Sequence, residues 1–524
     1  LLKCGSCKLV SYCNKEHQKQ HWAQHKFSCK PFEVETSTNR KYLSATRDIK
    51  IGDTLFVELP LVYGPRVVEA DPVCLGCHRT INKPANCPNC LWPACSDQCS
   101  GLFDIHRHAS ECIILSMNRH KHKQNNYFRY EIITPLRCLL LQRKNPRKWA
   151  QVISMEAHTE ERGPETDIYK EIEETIVKYM ISEYLSDLPP NILNHASKDV
   201  IHRICGVLDV NSLDVKIGNN DLIALFSYAS LISHSCLPNT KYTFNDMKIT
   251  LTASTNINRG EYLTTMHTHV LWGTHARRNH LETTKYFSCH CIRCADPTEL
   301  GTYFSALKCI AETKEGPCPG YQLPTSPLNN KSSWACNKCP ITLSSIEVNN
   351  IVSGLGNEVD SVLHSDKIKP SINDLEDLLK KLCKLLHPQH YHCYAVCHCL
   401  IQLYGHEPGF QHRELPQDIL ERKADLCKQM LLTTFTLDAG KSWLALYAGV
   451  LQYELHAALM EFANRKMNSS ECIQYVEEAK SLLEQEIDLL EHEPEFSSGQ
   501  QMRTLAQNSL KSVKLQLEKI KSSN

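Results

Sequence analysis

The run Cys289-His290-Cys291-Ile292-Arg293-Cys294 holds three cysteines two and three residues apart, close enough to grip one metal ion. A tetrahedral zinc site needs four thiolate or imidazole ligands, so this run leaves one corner open. Cys236, in Ser233-His234-Ser235-Cys236-Leu237-Pro238-Asn239, is the candidate for that corner. Closing such a site ties the chain near residue 236 to the chain near 291. It fastens a C-terminal flap over the pocket expected between them.

Cysteine is the compositional outlier, with 27 in 524 residues. A secreted disulfide scaffold and intracellular zinc sites compete to explain such a count. The recurrence of C-x-x-C pairs with histidine nearby, in a large chain, favours zinc in a reducing compartment. Lys+Arg and Asp+Glu both number 58, so no global basic field argues for nucleic acid as a partner. No apolar run reaches the ~18 residues of a membrane span. The start, Leu1-Leu2-Lys3-Cys4, does not read as a signal peptide, and its lack of Met leads us to expect preceding residues.

Other metal-type spacings follow. Residues 1–30 carry Cys4-x2-Cys7, Cys13-x3-His17 and His25-x3-Cys29. Residues 74–112 carry Cys74-x2-Cys77, Cys87-x2-Cys90, Cys95-x3-Cys99 and His108-x3-Cys112, eight ligands in one short stretch. Cys309, Cys318 and Cys336-x2-Cys339 flank a Gly/Pro-rich loop and suggest another structural site. Between these stretches, β-branched and aromatic residues around the Gly52-Asp53 turn read as strands. Thr166 to Leu188 has apolar residues at helical spacing and stops at Pro189-Pro190. The run Leu136-Arg137-Cys138-Leu139-Leu140-Leu141 is mostly apolar, and periodicity alone does not assign it. From about 345 onward helices are expected, with one stripe of Leu375, Leu378, Leu379, Leu382 and Leu385 starting near Ser371. His390, His392, Cys393, Cys397 and Cys399 are read as core packing rather than as metal ligands.

The Ser233–Asn239 motif followed by the C-x-C-x-x-C run resembles a SET domain with its post-SET cysteines. The order of all the motifs resembles the SET-and-MYND (SMYD) family, and within it the arthropod SmydA-like branch, to which Trp334 also conforms. The resemblance implies an α+β chain: a SET β-fold split by a MYND zinc finger, with a helical insert, a post-SET zinc site and a C-terminal helical, TPR-like domain. The expected order is a partial MYND finger at 1–30, SET strands at 31–73, a full MYND finger at 74–112 and the helical insert at 113–205. The SET core at 206–268, the post-SET segment at 269–300, a zinc-ribbon-like segment at 301–345 and the helical domain at 346–524 follow. The family's interleaved pairing implies one zinc on Cys74, Cys77, Cys95 and Cys99 and another on Cys87, Cys90, His108 and Cys112. It pairs Cys4 and Cys7 with His25 and Cys29, leaving Cys13 and His17 without a site. With Cys236, Cys289, Cys291 and Cys294, and with Cys309, Cys318, Cys336 and Cys339, about five zinc ions are expected.

The family transfers a methyl group from S-adenosylmethionine to protein lysine. By resemblance, Asn211, Ser233, His234 and Phe287 fall at cofactor-contacting positions, and His267 falls where the family has its channel tyrosine. Tyr286 lies one step from a second tyrosine position, which Lys285 occupies. The departures cluster: Arg40-Lys41-Tyr42 replaces a glycine turn, Ser233 an asparagine and His267 a phenol. These imply a degenerate active site with weak or absent methyl transfer. The alternative is a catalytically silent scaffold that binds partner proteins, for example in transcriptional repression. The expected partners are a protein substrate or a proline-rich peptide, with no membrane or nucleic acid. The chain is expected to be a monomer of the cytoplasm or nucleus.

Overall fold

The computed structural model describes residues 1–523 except 6–9, 27–28, 38–39, 67–71, 82–84, 120–128, 187, 190–191, 194–195, 218–219, 315, 365–368, 468–469, 492 and 494–496. They divide into two compact units. One comprises Leu1–Ser233, Tyr242–Leu263 and Thr284–Tyr286, the other His234–Lys241, Thr264–Thr283 and Phe287–Asn524.

In the first unit the strand Phe32–Ser37 pairs antiparallel with Arg40–Ala45, Phe32 opposite Ala45. The residues 40–42 that stand in place of a glycine turn thus form regular strand. Thr54–Glu58 pairs with Lys248–Ala253, and Asn220–Leu225 lies between Val62–Pro65 and Leu213–Ile217. Alternation decides which face is inside: Ile249, Leu251 and Ala253 are buried while Lys248 is exposed. Phe32, Leu43, Ile49 and Phe56 share one core with Val215, Leu222, Ile249 and Leu263. The sheet region is therefore assembled from segments separated by some 150 residues of finger and helix.

That intervening stretch has its own core, in which Cys74, Leu75, Trp92 and Ile114 pack with Leu136, Leu139, Ile204 and Val207. The apolar run at 136–141 is part of the helix Ile133–Lys144, buried along nearly its whole length, which is why no periodicity marks it. The helix after Thr166 begins with that residue's side chain accepting from the Tyr169 backbone N–H, then passes through π turns at Glu173–Val177 and Ile181–Leu185.

The second unit has a four-stranded antiparallel sheet of Leu307–Lys308, Tyr321–Pro324, Trp334–Cys336 and Thr342–Leu343. Helices follow at Ser345–Leu363, Ile372–Leu385, Tyr391–Leu403, Gln417–Leu437, Ala445–Arg465, Ser470–Leu489 and Ser498–Ser523. Ser344 with Glu347, and Ser371 with Asp374, form reciprocal caps on the first two. The leucine stripe from 375 to 382 lies in the core beside Cys393 and Cys397. Among the described residues no helix is long and apolar enough to cross a membrane.

Candidate metal centres

Four thiolates at Zn–S distances of about 2.3 Å stand about 3.8 Å from one another, whereas a disulfide holds its sulfurs at about 2.05 Å. No disulfide joins the described cysteines, and five groups gather their ligand atoms within 4.8 Å. In the finger, Cys77 and Cys95 sulfurs are 3.6 Å apart and Cys74 and Cys99 3.9 Å. Cys87 and Cys112 stand at 3.6 Å, and His108 Nε2 lies 3.3 Å from Cys90. At the N-terminus Cys4 and Cys29 are 3.6 Å apart, with His25 Nε2 3.3 Å from Cys4; Cys7 lies outside the described residues. Cys13 is exposed and joins no group among the described residues, and neither do the cysteines and histidines of 390–399. These separations suit a shared tetrahedral ion.

The finger has two supporting partners, one within it and one on the helix Ile133–Lys144, that the cysteine and histidine spacing did not single out. Glu111, one helical turn after His108, faces its Nδ1 at 3.2 Å, which leaves Nε2 for the metal. Arg137 clasps Glu111 through Nε at 2.5 Å and a second nitrogen at 2.6 Å, and donates to the Tyr63 and Leu75 carbonyls. The His108-x-x-Glu111 spacing is a signal in the sequence; nothing local marks Arg137.

In the second unit Cys236 approaches Cys294 at 3.5 Å and Cys289 at 4.0 Å, with Cys291 completing the group. His234 stands beside it, its Nε2 3.3 Å from Cys236 Sγ, while its Nδ1 accepts the His267 backbone N–H at 3.0 Å. Burial, reinforced by the neighbouring His267, pushes the His234 imidazole down to about 3, so the ring is neutral. Since Nδ1 accepts, Nε2 carries the proton and donates to the sulfur. Both nitrogens are thus engaged within the unit, and only the ring faces remain for a ligand. The His267 and Phe287 rings each lie 5.8 Å from that of His234. In the other group, Cys309, Cys318, Cys336 and Cys339, the Cys309 and Cys339 sulfurs are 3.5 Å apart and those of Cys318 and Cys336 3.8 Å. A Cβ on Gly320 would stand 2.4 Å from Cys336 Sγ, so that position requires glycine.

The remaining candidate residues belong to the first unit. Asn211 ends the helix Lys198–Asn211, and its amide donates to the Glu156 and Val207 carbonyls, both at 2.8 Å. The Ser233 hydroxyl is buried and has no hydrogen-bond partner among the described residues. An orphaned donor and acceptor of this kind is what a bound polar ligand would satisfy. Tyr286 has a positive φ of 57°, its ring lies 4.8 Å from that of His158, and its hydroxyl accepts from Arg162 at 3.3 Å. Arg162 is in turn paired with Asp209. Lys285 donates to the Val210 carbonyl at 2.6 Å.

The MYND finger model matches residues 1–29. SET domain-containing protein SmydA-8, isoform A, of Drosophila melanogaster is 26% identical over 410 residues, 76% of this chain and 82% of that protein. Histone-lysine N-methyltransferase ASHR1 of Arabidopsis thaliana is 23% identical over 378 residues, 68% of this chain and 72% of that one. Mouse histone-lysine N-methyltransferase SMYD3 is 26% identical over 269 residues, 49% and 60% of the two chains. The solved structure of Rubisco LSMT bound to AdoMet covers 88% of this chain and 97% of its own at 12% identity, with a TM-score of 0.32, too loose to carry an argument.

Proposed function

We propose that this chain, which is similar to SmydA-8 and other SET-and-MYND proteins, is a SET-type protein of that family with a degenerate methyl-transfer site. Transfer to protein lysine is weak or absent, and binding of partner proteins carries much of the function. S-adenosylmethionine, when bound, supplies the methyl as a sulfonium. The chain's own task is to hold that ligand, exclude water and align a neutral lysine amine. The Ser233 hydroxyl, buried and without a hydrogen-bond partner among the described residues, supports ligand binding.

The observation that carries the reading is the imidazole at 267. A phenol oxygen offers two lone pairs and can accept an amine N–H from several directions. A neutral imidazole offers a single in-plane lone pair. The backbone N–H of His267 is held by His234 Nδ1. Tyr286 supports the same conclusion, because its hydroxyl is engaged by Arg162.

Protein binding is favoured by the fingers. Phe103, Ile105, Ile113 and Met117 are exposed apolar side chains in and after the full finger, a surface suited to a proline-rich segment. Reduced cysteine clusters suit an intracellular protein of the cytoplasm or nucleus.

The test is calorimetric titration with S-adenosylmethionine, followed by transfer of labelled methyl to a protein mixture. We expect binding with little or no transfer, and a gain of about tenfold or more in His267→Tyr. Vigorous transfer by the unaltered chain that disappears in His267→Ala would overturn the reading.

A further inference from the structure

Four thiolates on a divalent ion leave a net charge of minus two, and such a charge is costly to bury without a partner. Cys236, Cys289 and Cys294 lie in the main core of the second unit. Arg277 and Arg293 stand beside them, both fully buried. Arg277 Nε is 3.3 Å from Cys236 Sγ and its Nη2 3.6 Å from Cys294 Sγ. Its remaining donors reach Glu299 Oε2 at 2.8 Å, Thr274 Oγ1 at 2.9 Å and the Trp272 carbonyl. Arg293 reaches the same Glu299 oxygen at 3.0–3.1 Å and the Val270 carbonyl at 2.8 Å.

The geometry points to Arg277 and Arg293, bridged by Glu299, as an internal counter-charge that holds a divalent metal ion on Cys236, Cys289, Cys291 and Cys294. Arg277 is the positioning residue in contact with sulfur. Arg293 acts at one remove. Two guanidinium groups and one carboxylate leave a net positive charge against the dianionic centre. Glu299 prevents the two cations, which converge on one oxygen, from repelling each other. The protein holds this carboxylate in place against local backbone preference: Glu299, Leu300 and Tyr303 all have positive φ, 49°, 66° and 54°, a region that side chains with a Cβ disfavour. His234 donates to the same Cys236 sulfur from its own side, so that sulfur has two N–H donors. Hydrogen-bonded partners of this kind tune affinity without touching the ion.

This inference rests on the reading that the 236 centre holds zinc. The full chain, purified with zinc, is challenged with the chelator 4-(2-pyridylazo)resorcinol, and the cysteines that become reactive are mapped by alkylation and mass spectrometry. In Arg277→Gln, exposure of the four cysteines of the 236 centre should be faster by about 10–100-fold. Arg277→Lys, which keeps the charge, should stay much closer to the unaltered chain. Arg293→Gln should fall between, and Arg293→Lys near the unaltered chain. Unchanged exposure in Arg277→Gln, or equal damage from Gln and Lys at 277, would overturn the counter-charge. Should Arg277→Gln fail to fold, identical behaviour of the two Arg293 variants and the unaltered chain would overturn it as well. Immediate alkylation of these four cysteines in the unaltered chain would instead remove the metal reading beneath it.

Discussion

The second unit holds two tetrathiolate groups of the same ligand chemistry, and they are built differently. The Cys236 group lies in the core and is flanked by Arg277, Arg293 and Glu299. The Cys309 group lies nearer the surface, with Asn337 and Lys338 exposed beside it. Its sulfurs receive neutral donors, the Gln322 amide to Cys309 at 3.7 Å and the Lys338 backbone N–H to Cys336 at 3.3 Å. Both would carry the same charge when loaded with zinc. Near water, solvent and amides screen it; in the core, the fold has to supply cations. The same motif therefore demands different surroundings according to depth.

The comparison breaks most visibly at a ligand. Cys236→Ser removes a ligand and leaves the guanidinium groups beside an incomplete centre in the main core. We expect a loss of melting temperature on the order of 10 °C, or insoluble protein. Cys336→Ser should cost about 3 °C or less, with damage confined to the sheet at 307–343, visible as local proteolysis. Equal losses at the two positions would mean that depth does not distinguish the centres.

Acid sharpens the comparison through Glu299. Burial alone would raise its carboxyl, but Arg277 and Arg293 outweigh that effect and hold it at about 2, below the ordinary 4.5. A carboxylate whose folded value is depressed contributes stability fully above the unfolded value, and loses it as pH falls through 4.5 towards 2. The contribution is on the order of 3 kcal/mol. Denaturant titrations of the unaltered chain and Glu299→Gln should therefore differ most at pH 6–7, narrow as pH falls through 4.5 and converge only near pH 2. Thiolate protonation occurs in both chains and cancels in the difference. A gap independent of pH would show that Glu299 acts by shape alone.

The two centres were not equally legible in the sequence. Spacing of two or three residues brings sulfurs together through a local turn, so the cysteine runs announced themselves. The fourth ligand of the core centre lies 53 residues before the first of its three partners, and only its surrounding motif pointed to it. The counter-charge left no such mark. Arg277 and Arg278 sit in a polar helix, Thr274–Lys285, where no pattern separates a buried arginine from a solvated one. Glu299 lies in a loop whose positive φ values no side-chain pattern betrays. Its role comes from packing across the unit, which one-dimensional periodicity does not record. The relay from Cys236 through His234 to His267 was hidden for the same reason, since the last bond joins a side chain to a backbone 33 residues away. The helix Ile133–Lys144 was hidden by burial on nearly all sides, polar Thr134, Arg137 and Gln142 included, so it has no polar face to detect.

The smallest expected effect lies at the outer centre. Gln322 is fully buried, and its amide reaches Cys309 at 3.7 Å and the Ile341 carbonyl at 3.4 Å, both long for a hydrogen bond. Replacing it in Gln322→Leu removes a weak neutral donor while keeping a similar volume. A neutral bond of this quality contributes about 0.5–1 kcal/mol at most, so zinc release from the 309 centre should change by about threefold or less. If charge compensation separates the two centres, this value must fall well below the change expected for Arg277→Gln at the 236 centre. If Gln322→Leu releases its metal as readily as Arg277→Gln does, hydrogen bonding of any kind is what holds such ions. The arginines would then differ from the glutamine only in size.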